Sequence, residues 1–507
     1  MPSGMYALHA NIKVTEEDDA RIRSATDLAI LPVLCWVYFL QILDKSVVGY
    51  NAVVGLEEDA YSILGSAGYV AQLALQPLSA YLLVLLPDRT LLAALVFSWG
   101  ISLTLMAFAR SFVSLLVTRF LLGVFEAVCL PVVTLIVGRW WRRGEQPIRV
   151  GAFYSTNSLA TILGSLLVFL LALLHAPFFK PYQLIFLTTG LLTVLSSPMI
   201  LISLPSSPSK ARFLTPSDRM KAVRRLASSH QSDGTHDFQW YQARECLFEM
   251  KTWLFCAMTL LLNVGASVTN VFGPLIVHGL SGGESKNSVL WNIPFGAVQF
   301  AVILLSSWVA VAWRRKGAVL LVLVLPMIAG YGFGRGQNNQ AVLLIAYYLL
   351  GFLFGGNPLL VSWIAGNYAG ETKRSVAMSL YQASSSLGNI LGPFLFRSTD
   401  APYYYSGLRA TLVLSITLFG LVFLQIVHLN WLNKKKEKKR VAKGKPAMVR
   451  DTSMMKRYVE EEDANGMDEP EGTEDDERSR ILRKPRNDLS DPLMVVSEEN
   501  DEFVYIL

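Results

Sequence analysis

Long apolar runs recur along the chain, separated by short polar stretches and by one long one. Each run holds about 20 residues with few charges, the length at which a helix crosses a hydrocarbon core of about 30 Å. A helix is the economical structure there, because every backbone amide must be satisfied without water. The pattern predicts spans at 28–49, 62–86, 91–109, 112–137, 149–175, 183–204, 253–278, 288–312, 317–334, 341–365, 374–396 and 406–430. GlyTyrGlyPheGlyArg at 330–335 blurs the end of the ninth. Residues 1–27 are polar and lack the apolar core of a cleavable signal, so the first span is expected to direct insertion itself.

The expected class is therefore an all-α polytopic membrane protein of 12 transmembrane helices. A tail at 1–27 precedes six spans over 28–204. A polar linker follows at 205–252, then six further spans over 253–430 and a tail at 431–507. Six spans on each side of a long linker suit a transporter of two repeated halves, with substrate bound between them near mid-membrane. No residue-level repeat links the halves, so this expectation rests on topology. Within the linker, 218–226 has the pattern of an interfacial amphipathic helix.

Composition agrees: 52% of the 507 residues are hydrophobic and 17% charged, against about a quarter charged in soluble domains. Charge sets the orientation. Arg139, Arg142, Arg143 and Arg149, the basic residues of the linker, and Arg314, Arg315, Lys316, Lys373 and Arg374 gather on one side. By the positive-inside rule that side is cytoplasmic, and both termini lie there. LysLysLysGluLysLysArg at 434–440, with Lys443 and Lys445, is either a stop-transfer anchor or a seat for anionic lipid at 434–445. Residues 460–477 are acidic and rich in Gly, Pro and Asp, a composition that predicts disorder. The four cysteines show no metal or disulfide spacing. No phosphate loop, zinc helix or nucleophile elbow is present. The expectation is a chain that is not an enzyme, holds no metal or cofactor and draws on an ion gradient.

Charged residues inside spans carry the candidate chemistry. Arg119 and Glu126 lie seven residues apart in the fourth span, nearly two turns, and so share a helical face. A buried arginine costs roughly 2.5–3.5 kcal/mol on insertion scales and faces a cavity or a partner. Arg119 is the candidate anion site and Glu126 the candidate proton carrier; the alternative is a structural charge pair between helices. Asp44 and Lys45 end the first span. Either the helix continues and buries them, placing Lys45 beside Arg119 in a cation-lined cavity and Asp44 in proton coupling, or they snorkel to the interface. Asn263, Asn270, Gln299, Asn357, Gln382 and Asn389 are polar positions within later spans. Asn263 and Asn357 are taken as substrate-binding candidates; helix–helix hydrogen bonding is the competing reading. Pro131, Pro294, Pro358 and Pro393 predict kinks.

Several stretches together carry a family resemblance: LeuAspLysSer at 43–46, ArgPheLeuLeuGlyValPheGluAla at 119–127, ArgTrpTrpArgArgGlyGluGlnProIleArg at 139–149, LeuProSerSerProSerLysAlaArgPheLeuThr at 204–215, AsnTyrAlaGlyGluThrLysArg at 367–374 and GlyAsnIleLeuGlyProPheLeuPheArg at 388–397. The chain resembles the major facilitator superfamily, and within it the fungal anion:cation symporters typified by allantoate permease. The resemblance implies a major facilitator fold of two six-helix bundles. It also implies uptake of small organic anions, such as allantoate- or nicotinate-like carboxylates, by proton symport at a fungal plasma membrane. Its partners would be the anion, protons and membrane lipid, with no nucleic acid, and the chain would act as a monomer. The inner loop LeuLeuProAspArgThrLeuLeu at 85–92 departs from the family, keeping only the Asp88–Arg89 pair, and the outer stretch at 56–62 is shortened. Two alternatives therefore stand beside import: an efflux carrier for a fungal metabolite, and a transport-dead nutrient receptor.

Overall fold

The computed structural model describes residues 14–51, 58–173, 181–227, 238–280, 292–333, 340–395, 405–444 and 504–507, and all but the last four are helical or flank and connect helices. The first half contains α1 (Glu16–Asn51), α2 (Glu58–Leu85), α3 (Asp88–Met106), α4 (Phe112–Glu126), α5 (Cys129–Trp140), α6 (Gln146–Leu173) and α7 (Pro181–Ser203). The linker carries α8 (Pro216–Ala227) and α9 (Trp240–Phe248). The second half contains α10 (Met250–Leu280), α11 (Asn292–Trp313), α12 (Lys316–Phe333), α13 (Gln340–Leu349), a 3-10 turn (Leu350–Gly355), α14 (Gly356–Asn367), α15 (Glu371–Phe394) and α16 (Tyr405–Ala442). The pair α4–α5 makes one broken span, the fourth. The run from α13 through the 3-10 turn to α14 makes another, the tenth.

Side chains on the outside fit lipid rather than water. Ile202 is 82% exposed, Phe394 70% and Val113 66%, and apolar faces this extensive are not left against water in a monomeric soluble protein. Among the described residues, eight helical stretches, the broken fourth and tenth spans included, are long and apolar enough to cross a membrane, and α9 with α10 adds a ninth bent by 69°. α15 is more polar because Ser375, Ser379, Gln382 and Ser386 are buried against the first half instead of facing lipid.

The repeat that the residues did not reveal is plain in the packing. In the first half α1 packs on α6 and α7, α3 on α7 and α4, and α2 on α4. In the second half α10 packs on α15 and α16, α12 on α16 and α13, and α11 on the 3-10 turn of the tenth span. Every pair recurs six spans later. The halves meet through α2 with α15 and through α6 with α11, two contacts that the same offset exchanges.

The chain ends differ from the expected boundaries. α1 begins at Glu16 instead of near 28, because its polar first turns are fastened to the linker. Lys221 Nζ lies 2.6 Å from Asp18, Arg21 Nη2 lies 2.7 Å from Asp218, and Arg225 bonds Asp19 at 2.5 Å. The amphipathic helix expected at 218–226 thus forms as α8, with these basic residues on the first half of the protein. α16 continues past 430 to Ala442 and carries most of the basic cluster on helix. The acidic run at 460–477 lies outside the described residues. Beyond it, Val504–Leu507 packs against the body.

Candidate functional site

Glu126 stands where the fourth span breaks. Pro131 has no amide proton to give Ala127, the carbonyl one turn back, and the helix stops at Glu126 and restarts at Cys129. The carbonyls released there are capped by side chains. Gln76 Nε2 donates to the Ala127 oxygen at 3.3 Å, and Gln41 Nε2 reaches the Glu126 oxygen at 3.4 Å. The tenth span repeats the device, breaking through its 3-10 turn just before Asn357 and Pro358.

Around the first break lies a buried charge cluster. α1 does continue past Gly49, so Asp44 and Lys45 are inside the protein, but adjacent residues point to different sides. Asp44 is fully buried and accepts from Trp99 Nε1 at 3.0 Å and from Thr193 Oγ1 at 3.4 Å. Lys45 Nζ lies 3.7 Å from Glu126 Oε2, which also accepts from Gln72 Nε2 at 3.1 Å. Arg119 is buried on the same face of α4 as Glu126, its guanidinium packed on Gly68 of α2. Its Nε, Glu126 Oε1 and Asp44 Oδ1 have no hydrogen-bond partner among the described residues. Lys45, Glu126 and Arg119 thus gather at the break, with Asp44 one residue along α1 turned to Trp99 and Thr193.

A second set of polar groups leads from this cluster into the other half. Gln72 Oε1 accepts from Gln382 Nε2 at 3.3 Å and from Ser386 Oγ at 3.5 Å, both on α15. Asn263 Nδ2 donates to Asn357 Oδ1 at 3.3 Å, and Tyr381 OH donates to the same oxygen at 3.1 Å. Tyr381 and Tyr154 share a hydrogen bond of 3.2 Å across the halves, and the Tyr38 ring lies 4.9 Å from that of Tyr154. The structure thus brings Asn263 and Asn357 together, in the second half. Asn389 bonds within its own helix and to Ser267. The side chain of Asn270 lies outside the described residues.

The sequence profile of the Major Facilitator Superfamily matches residues 34–393. The chain belongs to the major facilitator superfamily. Within the superfamily this transporter is allantoate permease-like. It is 28% identical to the allantoate permease of Saccharomyces cerevisiae over 455 residues, 86% of this chain and 84% of the relative. An uncharacterized transporter of Schizosaccharomyces pombe, C417.10, is 28% identical over 447 residues, 87% of this chain and 88% of that one. Among solved structures, the human organic anion transporter MFSD10 superposes with a TM-score of 0.57 at 17% identity, covering 78% of this chain and 99% of that one. Membership of this family makes transport of small solutes across a membrane the general role of the chain.

In this major facilitator chain the altered loop at 85–92 still serves the contact between halves. Asp88, which it keeps, accepts from Arg139 Nη1 at 2.6 Å, and Arg139 also grips Glu371 of the second half. Arg143 Nη2 donates to the Gly366 carbonyl at 2.5 Å, and Ser79 bonds Ser379 at 2.9 Å. The end of the bundle that bears the linker is closed by these bonds. Sequence reasoning missed Gln72, Tyr154 and Tyr381. A glutamine or tyrosine in an apolar run carries little signal by itself, and what marks these three is the partner that each finds across the interface.

Proposed function

We propose that this chain imports a small organic anion by proton symport, with its linker and both termini in the cytoplasm of a cell whose plasma membrane it spans. The observation that carries the reading is Arg119, a buried guanidinium with an unfilled donor beside a carboxylate that is itself only partly satisfied. A guanidinium binds a carboxylate through two parallel hydrogen bonds in a fixed plane. The composition of the cluster supports proton coupling. Arg119, Lys45, Asp44 and Glu126 are balanced in charge, so an incoming anion leaves a buried excess negative charge unless one carboxylate takes a proton. Burying such an uncompensated charge costs several kcal/mol, and loading anion and proton together avoids it. Glu126 is placed for that proton: its Oε1 is unbonded and its Oε2 faces Lys45. Asp44, held by Trp99 and Thr193, is the second candidate. Asn263, Asn357 and Tyr381 of the second half, with Tyr154 of the first, would read the polar body of the substrate. Two similar proteins carry anions of the kind this site would suit: MFSD10 is an organic anion transporter, and the yeast relative is a permease for allantoate.

Outside the site, Lys434, Lys435, Lys438 and Lys439 lie along α16 beyond the apolar span, which suits contact with anionic lipid headgroups. The monomer remains the proposed working unit, since the whole cluster is built within one chain.

The test is uptake of a labelled carboxylic-acid panel by cells expressing the chain, normalised to surface protein. Arg119→Ala should lose specific uptake. Arg119→Lys should insert normally and bind about 10- to 100-fold more weakly, the loss of one or two charge-assisted hydrogen bonds. Normal specific uptake by Arg119→Ala would remove the anion site from this arginine.

A further inference from the structure

Residues 504–507 lie far along the chain from any span, yet side chains of the transporter body hold the Val504 carbonyl and both backbone groups of Tyr505 and of Ile506. Asn433 of α16 clasps Tyr505 from both sides: its Nδ2 donates to the Tyr505 carbonyl at 2.9 Å, and its Oδ1 accepts from the Tyr505 amide at 2.9 Å. Asn367 at the end of α14 does the same for Ile506, accepting its amide at 2.7 Å and donating to its carbonyl at 3.0 Å. Trp363 Nε1 adds a second donor to that carbonyl at 2.7 Å. Side-chain amides here act as a neighbouring strand would, pairing an extended peptide through its main chain. The side chains are seated as well. The Tyr505 ring lies between two ammonium groups, 4.6 Å from Lys251 Nζ and 5.0 Å from Lys436 Nζ, within cation–π range. Ile506 is 4% exposed, and its Cδ1 fills the space over Gly366, where an added Cβ would stand 2.7 Å from it.

One contact comes from the other half. Arg143, in the turn between α5 and α6, donates from Nη2 both to the Val504 carbonyl at 2.9 Å and to the Gly366 carbonyl at 2.5 Å. The seat therefore spans the interface that must part if the halves rock to open the linker end. Opening requires Arg143 to leave both oxygens, and a seated peptide raises the cost of that step.

We propose that residues 504–507 are a built-in peptide clamp, and that Asn367, Asn433, Trp363, Gly366 and Arg143 form a binding site for this extended segment whose occupancy holds the linker end closed. Release of the clamp then regulates how readily the transporter opens to that side. The proposal does not depend on which solute is carried.

The test reads the gate without substrate. Leu86 and Trp313 are exposed at the linker end, on the first and second half. Spin labels at Leu86→Cys and Trp313→Cys, in a chain whose four native cysteines are replaced by alanine, report the separation of the halves by pulsed dipolar spectroscopy. The perturbing change is Ile506→Lys. It lies in the clamp and not in the spans, so it leaves the fold of the body alone. It sets a cation where Lys316 and Arg143 already approach the same point over Gly366. The comparison is repeated in a Glu371→Gln chain, where Arg139 keeps less of its grip and the gate sits nearer balance. The ratio of long to short distances should rise about tenfold with Ile506→Lys, the effect of about 1.4 kcal/mol. Identical distance distributions with and without Ile506→Lys in both backgrounds would overturn the clamp. That outcome would leave the anion and proton reading, which uptake tests separately, where it stands.

Discussion

At the scale of single residues, neighbours in sequence do opposite jobs. Asp44 turns to Trp99 and Thr193, while Lys45 turns to Glu126. That a charged residue inside a span meets a partner or a cavity was legible in the sequence, since an unaccompanied charge there is too costly to retain. Which partner it meets was not. The pattern put Arg119 and Glu126 on one face, with a charge pair between helices as the alternative for each; Glu126 meets Lys45 of α1, and Arg119 keeps an open donor. This arrangement gives a prediction for the proton site. Glu126→Gln retains shape and hydrogen bonding to Gln72 but cannot exchange a proton. It should abolish accumulation of the transported anion against its gradient while preserving counterflow exchange at a reduced rate. Uphill uptake that survives in Glu126→Gln, and collapses on adding an uncoupler as in the native protein, would exclude Glu126 as the carrier.

Elements show why so much of the span pattern could be read and so little of the site. A run of about 20 apolar residues has one stable structure in lipid, so the spans follow from hydropathy. The breaks beside Pro131 and Pro358 were also readable, because proline removes an amide from the ladder, but the helices run on through Pro294 and Pro393, where kinks were equally expected. The crossing of α2 and α4 was not readable. A Cβ on Gly123 would lie 2.3 Å from the Gly68 oxygen and 2.9 Å from its Cα. Backbone cannot yield there as a side-chain tip would, and small residues at such crossings let membrane helices approach closely. Gly123→Ala should push α2 away, loosening both the Gln72–Glu126 bond and the Gly68 shelf under Arg119. Overpacking of this kind costs about 1–3 kcal/mol. The midpoint of thermal unfolding of the purified protein should fall, whereas Gly420→Ala, with nothing within 4 Å of its Cβ position, should leave it unchanged. Equal midpoints for the two variants would contradict the tight crossing.

On the scale of the whole molecule, the linker behaves as a fitted part instead of a tether. Arg225 reaches Glu145 at 2.5 Å and Asp19 at 2.5 Å, tying α8 to the turn after α5 and to the start of α1. Burial alone would raise the Glu145 carboxyl. The guanidiniums of Arg225, Arg142 and Arg149 outweigh it and hold the group below its ordinary value of 4.5. A carboxyl depressed by folding stabilises the folded state fully above that ordinary value and loses the contribution as pH falls through the folded one. Glu145→Gln leaves buried cations without their partner, a change that costs about 3–5 kcal/mol. The native protein should therefore unfold at a higher temperature than Glu145→Gln at pH 7, by a margin that is constant down to about pH 5 and narrows only in more acid solution. A margin that stays the same at every pH would show that the Glu145 charge is not what fastens the linker.

The sequence by itself determined the class, the apolar runs that become helices and the list of residues too polar for lipid. Each of those follows from one chain segment and its solvent: an apolar run must be a helix, and a charge inside it must be accompanied. The tertiary structure alone decided the internal repeat of packed pairs and the bridge from Gln72 to Gln382. It also decided the use of the altered loop through Asp88 and the seat of residues 504–507. These depend on which side chains meet across helices distant in sequence. A glutamine, an asparagine or a glycine in an apolar run gives no sign of its partner until the backbone that carries that partner is in place.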